Sequence, residues 1–307
     1  MTVTRKHGIY AITIGATTLG GITRQNIATG TEVRGEPSSG EVWARFQALY
    51  AQKIAPGFTT QAIATALAAV GATGWSLASH GSGLALYAQK HADGSTRASG
   101  SSHRKYQFTK GILAPRTLDV DHRGDATLTF EAVIAYDGSN DPLAITDAAA
   151  IPSITSDAER FTLGPVAIGG ISLPEVRRFS IDFGLDVVSE GADSDVWDTF
   201  ASVRTQQTVL TLRGIDVEWL KAANIPLIGK AGTHANTTIY LRQRAQGSTF
   251  VANGTAEHIK FTADGLAWID QAFDAGENDA AETALTMRLR YDGTNAPLTT
   301  NTASAIT

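Results

Sequence analysis

Apolar and polar residues alternate with a period of two over much of this chain, most clearly in TIYLRQR (238–244) and MRLRY (287–291). That alternation sets apolar and charged groups on opposite faces, as a half-exposed β-sheet requires. Strands are expected at 10–14, 19–25, 84–90, 106–110 and 128–136, then at 160–163, 166–173, 182–187, 237–244, 258–262 and 285–291. A Gly-Gly pair in the second run of each half predicts a bulge or a close backbone approach. In two places the period changes. SSGEVWARFQALY (38–50) places Val42, Trp43, Phe46, Leu49 and Tyr50 on one helical stripe, with Ser38 or Ser39 as N-cap. Val196, Trp197, Phe200 and Val203 repeat the stripe behind Asp193, Ser194 and Asp195. Trp43, Phe46, Trp197 and Phe200 are therefore expected to be the core of a helix laid across a sheet. A second, short helix is expected through Thr60, Ile63, Leu67 and Val70, stopped by Gly71, with a partner at 216–224 that ends before Pro226.

The two halves match in order. LGGIT (19–23) answers IGGIS (168–172) at an offset of 149, and TGTEV (29–33) answers FGLDV (183–187) at 154. VWARF (42–46) meets VWDTF (196–200) at 154, and LYAQKHADGST (86–96) meets IYLRQRAQGST (239–249) at 153. QFT (107–109) meets KFT (260–262) at 153, and YDGSNDPL (136–143) meets YDGTNAPL (291–298) at 155. A series that keeps its order with so little drift implies a tandem duplication of a unit of about 150 residues. The units are placed at 1–153 and 154–307, with the seam around 151–158. Each is expected to be a β-rich (α+β) sandwich or barrel with one or two packed helices. Asp137 with Gly138, and Asp292 with Gly293, are expected to end the final strand of each unit in a tight turn, with the following proline preventing its continuation.

Composition narrows the function. With 43% hydrophobic and 18% charged residues the chain can bury substantial cores, and a net charge of −5 leaves no basic footprint for reading nucleic acid. No apolar run approaches the ~20 residues that span a bilayer, and MTVTRKHGIY carries no signal-peptide core. The absence of cysteine removes thiolate nucleophiles, disulfides and Cys-based zinc sites. LDVDHRGD (118–125) gathers Asp119, Asp121, His122 and Asp125 as a candidate metal loop or enclosed acid cluster, but it reads equally as a charged hairpin tip turning at Gly124. Its counterpart FDAGENDA (273–280) has no histidine. DGSND (137–141) lacks the final glutamate of a calcium loop, and Ala296 replaces Asp141 in the second half. Histidines 7, 80, 91, 103, 122, 234 and 258 form no ligand spacing, HGSG (80–83) is only half of a nucleophile elbow, and no phosphate-cradling loop occurs. No enzyme activity, cofactor or metal is expected. Arg242 with Arg244, and Arg288 with Arg290, alternate along strands and offer charge for contacts between subunits.

The paired units, with VWARF and VWDTF as helix cores and the terminal strands ending in YDG, resemble bacteriophage tail tube proteins of the tandem-duplicated type. That resemblance implies a structural virion protein made in the host cytoplasm. Inner sheets of neighbouring subunits would join around a lumen through which DNA passes. Three chains would form a pseudo-hexameric ring, and rings would stack into a tube. The partners implied are further copies of the chain, other tail proteins and DNA in transient, non-specific passage, with no membrane span. Acidic groups are then expected to outnumber basic ones on the bore. Two other readings stand beside this one. A tail hub or adaptor ring would use the same doubled unit. A tandem carbohydrate- or surface-binding sandwich would stack sugars on Trp75, Trp219 or Trp268, which have no counterpart in the opposite half.

Overall fold

A computed structural model of the chain describes residues 6–79, 83–91, 102–154, 159–192, 195–215, 229–277 and 281–307. The first half runs β1 (Lys6–Ile14), β2 (Thr17–Leu19), β3 (Ile22–Pro37), β4 (Ala44–Thr60), α1 (Ile63–Val70), β5 (Trp75–Ser76), β6 (Leu84–His91), β7 (His103–Phe108), β8 (Gly111–Asp121), β9 (Thr127–Ile134) and β10 (Ala144–Ala149). The second half runs β11 (Phe161–Ile168), β12 (Ile171–Ser172), β13 (Val176–Asp182), β14 (Leu185–Glu190), β15 (Phe200–Gln206), β16 (Val209–Gly214), β17 (Ala231–Gln243), β18 (His258–Asp274), β19 (Glu282–Leu289) and β20 (Leu298–Ser304). The protein is thus β-rich, built from large antiparallel sheets. The described residues contain no helix long and apolar enough to cross a membrane.

A five-stranded sheet orders β10-β7-β6-β1-β2, and a much larger one orders β12-β11-β17-β18-β19-β16-β13-β8-β9-β4-β3, with β20 on β18 and β5 on β8. The pairings of the first half recur in the second. β6 lies between β1 and β7, and β17 lies between β11 and the first part of β18. β9 lies between β8 and β4, and β19 lies between the second part of β18 and β16. The irregularities recur as well. A bulge at Arg116 between Pro115 and Thr117 matches one at Asp270 between Ile269 and Gln271. The register shift that skips Thr23 matches the one that skips Arg177. Two buried histidines take the same role, His103 Nδ1 accepting from the Lys90 N–H and His258 Nδ1 accepting from the Gln243 N–H, both at 3.1 Å.

The core fills the space between the sheets. Phe58 and Phe130 stack at 4.9 Å between ring centroids, with Ile63, Ala66, Leu67 and Val70 of α1 buried in the same core. Thr60 starts that helix by accepting the Ala62 N–H at 3.0 Å while donating to the Gly20 carbonyl at 3.0 Å. Gly71, at φ 74°, ends it. The expected partner helix at 216–224, which includes Trp219, lies outside the described residues.

The helix expected at 38–50 is not formed. β4 runs from Ala44 and pairs with β3 in one long hairpin, so Trp43 and Phe46 lie exposed near its tip and not in a core. Likewise Phe200 opens the β14–β15 hairpin and is exposed, while Trp197 is partly buried against the core. Tertiary pairing overrode the local stripe. A hairpin arm with neither face fully buried has no need of strict alternation, and its cross-strand hydrogen bonds hold it whatever the local period.

Candidate functional site

The feature with the most consequence is the junction between the halves, where β13 pairs antiparallel with β8 from Arg178 opposite Asp121 to Asp182 opposite Thr117. Either side of it stand four strands in the same order, β3-β4-β9-β8 and then β13-β16-β19-β18. Phe179 and Ile181 face the core from β13, as Leu128 and Phe130 do from β9. The residues between them therefore share the opposite, polar face. The carboxylates there are Asp119, Asp121, Glu131, Asp182, Asp270, Asp274 and Glu282, against Arg24, Arg116, Arg178, Arg213 and Arg288. Acidic groups outnumber basic ones. Bulges place Arg116 and Asp270 on this face, where Arg116 pairs with Glu131 at 2.8 Å and Asp270 accepts from Trp268 and Thr286.

At the junction itself a shallow depression of about 360 Å³ is lined by Asp119, Asp121, Asp125, Thr127, Arg178, Ser180 and Arg213, among others. His122 is not part of it. Burial pushes the Asp119 carboxyl up, opposed by the Thr117 hydroxyl. The Arg123 backbone N–H, donating at 2.8 Å, holds Asp121 below the usual carboxylate range, with His122 and Arg178 adding to the effect. Asp121 also meets Arg178 at 3.3 Å, and Asp125 meets Arg244 at 3.5 Å and Arg160 at 3.9 Å. Asp121 and Asp125 thus meet arginines of the second half in part-exposed pairs, which add little stability beside the β8–β13 backbone pairing. Among the described residues no group of three or more histidines, cysteines or carboxylates is placed to hold a metal ion.

The hairpin β14–β15 forms the second part of the junction. The Gln206 side chain donates to the Ala72 carbonyl at 3.0 Å, and Val203 packs beside Gly74. Gln52 N–H donates to the Val196 carbonyl at 2.7 Å, bridging to Trp197 in parallel. Lys53 reaches Asp198 at 3.9 Å, and the Tyr136 N–H donates to the Asp198 carbonyl at 2.8 Å.

The arginines read as subunit contacts divide. Arg242 and Arg244 flank the Phe250 ring at 5.1 and 5.7 Å, and Arg244 also donates to the Arg123 carbonyl at 3.0 Å, so both work inside the chain. Arg288 and Arg290 are exposed, Arg288 on the polar face. Asp137 accepts from the N–H groups of Ser139 and Asn140, with Gly138 at φ 91°, and Asp292 accepts from Thr294 and Asn295, with Gly293 at φ 95°, but neither turn ends the last strand of its half, because β10 and β20 follow beyond the prolines and pair with β7 and β18. Trp75, at 8% exposure, is closed to stacking on a sugar, whereas Trp268 is half-buried, with its indole N–H donated to Asp270. Sequence reasoning did not single out Arg178 or Arg213. Their roles depend on which strands meet across the junction, although the matched bulges mark the register once the fold is known.

Comparison with models of protein families and with curated protein sequences finds no match for this chain.

Proposed function

We propose that the chain is a self-assembling structural subunit of a bacteriophage tail tube, made of two tandem units, residues 1–153 and 154–307, that form a trimeric pseudo-hexameric ring. The observation that carries this reading is the eight-strand run β3-β4-β9-β8-β13-β16-β19-β18, in which one four-strand order is used twice and joined edge to edge by β8 and β13. Its ends are complementary. Among the described residues β3 pairs only with β4, and Gln271–Asp274 of β18 has no strand on its outer side. A joint that the chain makes once internally can therefore be made again between chains, and a head-to-tail contact of this kind closes into a ring. Two chains would give sixteen strands and a backbone diameter of roughly 32 Å, and three would give twenty-four strands and about 48 Å. Only the larger ring leaves generous space for a duplex after side chains are added. The polar face lines its bore, and the excess of carboxylates there lets DNA slide, since tight phosphate binding needs cationic neutralisation. The subunit would reside in the virion tail after synthesis in the host cytoplasm, contacting copies of itself and other tail proteins.

Electron microscopy of the purified chain tests this. Threefold rings with six similar lobes, alone or stacked, are expected. A strict monomer at every concentration would refute the assembly.

A further inference from the structure

The β3–β4 hairpin leaves a row of large apolar side chains uncovered. Val42 is 91% exposed, Trp43 83% and Val33 60%, with Leu49 and Tyr50 also exposed. At the other end of the chain Tyr291 is 61% exposed. Isolated apolar side chains on a surface need no explanation, but these belong to one pattern.

The β14–β15 hairpin has the same register as the outer part of β3–β4. Leu185 faces Gln206 as Thr31 faces Gln52, Asp186 faces Thr205 as Glu32 faces Ala51, and the shift that follows brings Val187 to Val203 as it brings Val33 to Leu49. Position by position, Val33, Val42, Trp43 and Leu49 correspond to Val187, Val196, Trp197 and Val203. None of these four counterparts is fully exposed, and Val187, Trp197 and Val203 pack against the core. What covers them is the first half of the same chain, through Gln52, Gly74 and Tyr136. Tyr136 in turn corresponds to Tyr291 and is partly covered by this contact.

The uncovered hairpin and the uncovered Tyr291 are therefore the two unmatched halves of a joint already present in the molecule. We infer that the occupant of the hairpin surface is a second copy of this chain, docked with its Val42–Trp43 tip on β15 at Gln206 and beside Tyr291. The Gln206 N–H then donates to the partner's Val42 carbonyl, as Gln52 donates to Val196. The Tyr291 N–H donates to the partner's Ala44 carbonyl, as Tyr136 donates to Asp198. This rests on the two halves being equivalent units and needs neither a tube nor DNA.

Cysteine pairs test it, since the chain has none of its own. Lys53 and Asp198 approach to 3.9 Å, so their counterparts Gln207 and Ala44 mark facing positions across two chains. The full chain carrying Ala44→Cys and Gln207→Cys, treated with a short bismaleimide, is expected to give a ladder of linked chains. Lys53→Cys with Asp198→Cys links within one chain and serves as the control. Trp43→Ala should raise the concentration for half-assembly roughly tenfold or more, because buried tryptophans anchor interfaces. Rings or tubes that form without the Ala44–Gln207 link, or that form equally well with Trp43→Ala, overturn this joint and leave the tube reading standing. A chain that never self-associates overturns both.

Discussion

Trp43 and Trp197 occupy matching places in matching hairpins, yet they should respond very differently to truncation in the isolated chain. Trp43 is 83% exposed, so about a sixth of its side chain is covered. From an aromatic area of up to ~250 Å² that is about 40 Å², worth at most about 1 kcal/mol at ~25 cal/mol per Å². Trp197 is partly buried and packs against the core, and its backbone bridges to Gln52. Complete removal of a buried aromatic costs ~3–5 kcal/mol, so partial burial places Trp197→Ala at about 2–4 kcal/mol. Urea denaturation, at a concentration where sedimentation shows only monomer, should give Trp43→Ala a midpoint close to wild type. Trp197→Ala should shift the midpoint down with the slope unchanged. Equal losses would mean that the first hairpin is packed inside its own chain, and both the exposure and the docking inference would fall.

Two other predictions bear on the equivalence of the halves. A Cβ on Gly111 would lie 2.2 Å from the Val133 carbonyl oxygen, and one on Gly265 would lie 2.3 Å from that of Arg288. Since backbone cannot move aside cheaply, Gly111→Ala and Gly265→Ala should each lower stability by at least ~2 kcal/mol, seen as a drop in melting temperature, and a neutral Gly265→Ala would contradict the register. The Asp137 carboxyl is drawn from its ordinary 3.8 to about 2 by the Asn140 side chain and then by backbone N–H groups, and Asp292 to about 2 by the Asn295 N–H and side chain. Because the folded value is depressed, each carboxylate supports its turn above pH 3.8 and loses that support as pH falls toward 2. NMR titration should find both midpoints near 2, with faster amide exchange at Ser139 and Asn295 only at the acid end. Midpoints near 4 would mean the turns are not closed by these carboxylates.

Much of the β-rich architecture was legible because its strands have one buried face. LTF and AVI in β9 alternate buried and half-exposed residues, and the side-chain period of two records that directly. The short helix was legible through Ile63, Leu67 and Val70 and the stop at Gly71. Two features were not. The outer part of β4 is exposed on both faces, so it lacks alternation, and Val42, Trp43 and Phe46 mimicked a helical stripe. β18 runs on through Asp264 and Gly265, a dipeptide that signals a turn, because the glycine lets the strand pass close to the Arg288 carbonyl. The candidate interface stayed hidden for a related reason. Arg178 and Asp121 lie far apart in sequence, and only the β8–β13 pairing makes them neighbours. The acidic loop at 118–125 was visible as a cluster, but its use as half of a junction was not.

The two joints differ in chemistry even where they agree in geometry. Inside the chain, Arg116 donates to the Leu185 carbonyl, Lys53 approaches Asp198, and Arg178 meets Asp121. At the matching external positions stand Asp270, Gln207 and Ala44, which can make none of the same ionic contacts, while Arg24 takes the place of Arg178. The external joint inferred above would therefore rely on backbone pairing and on apolar burial by Val33, Val42, Trp43 and Leu49. A free sheet edge beside an apolar arm is an aggregation hazard for a subunit awaiting assembly. The arm carries its own protection, with Arg34 lying 4.4 Å over the Tyr50 ring while bonding Glu32, and Arg45 paired with Glu41 near the tip. These charges are local and nearly balanced, so they keep the arm hydrated without opposing a second copy. If the proposed contact between chains relies on desolvation while the joint within the chain is covalently tethered, the order of events follows: each subunit would fold as a unit first, and association would come afterwards.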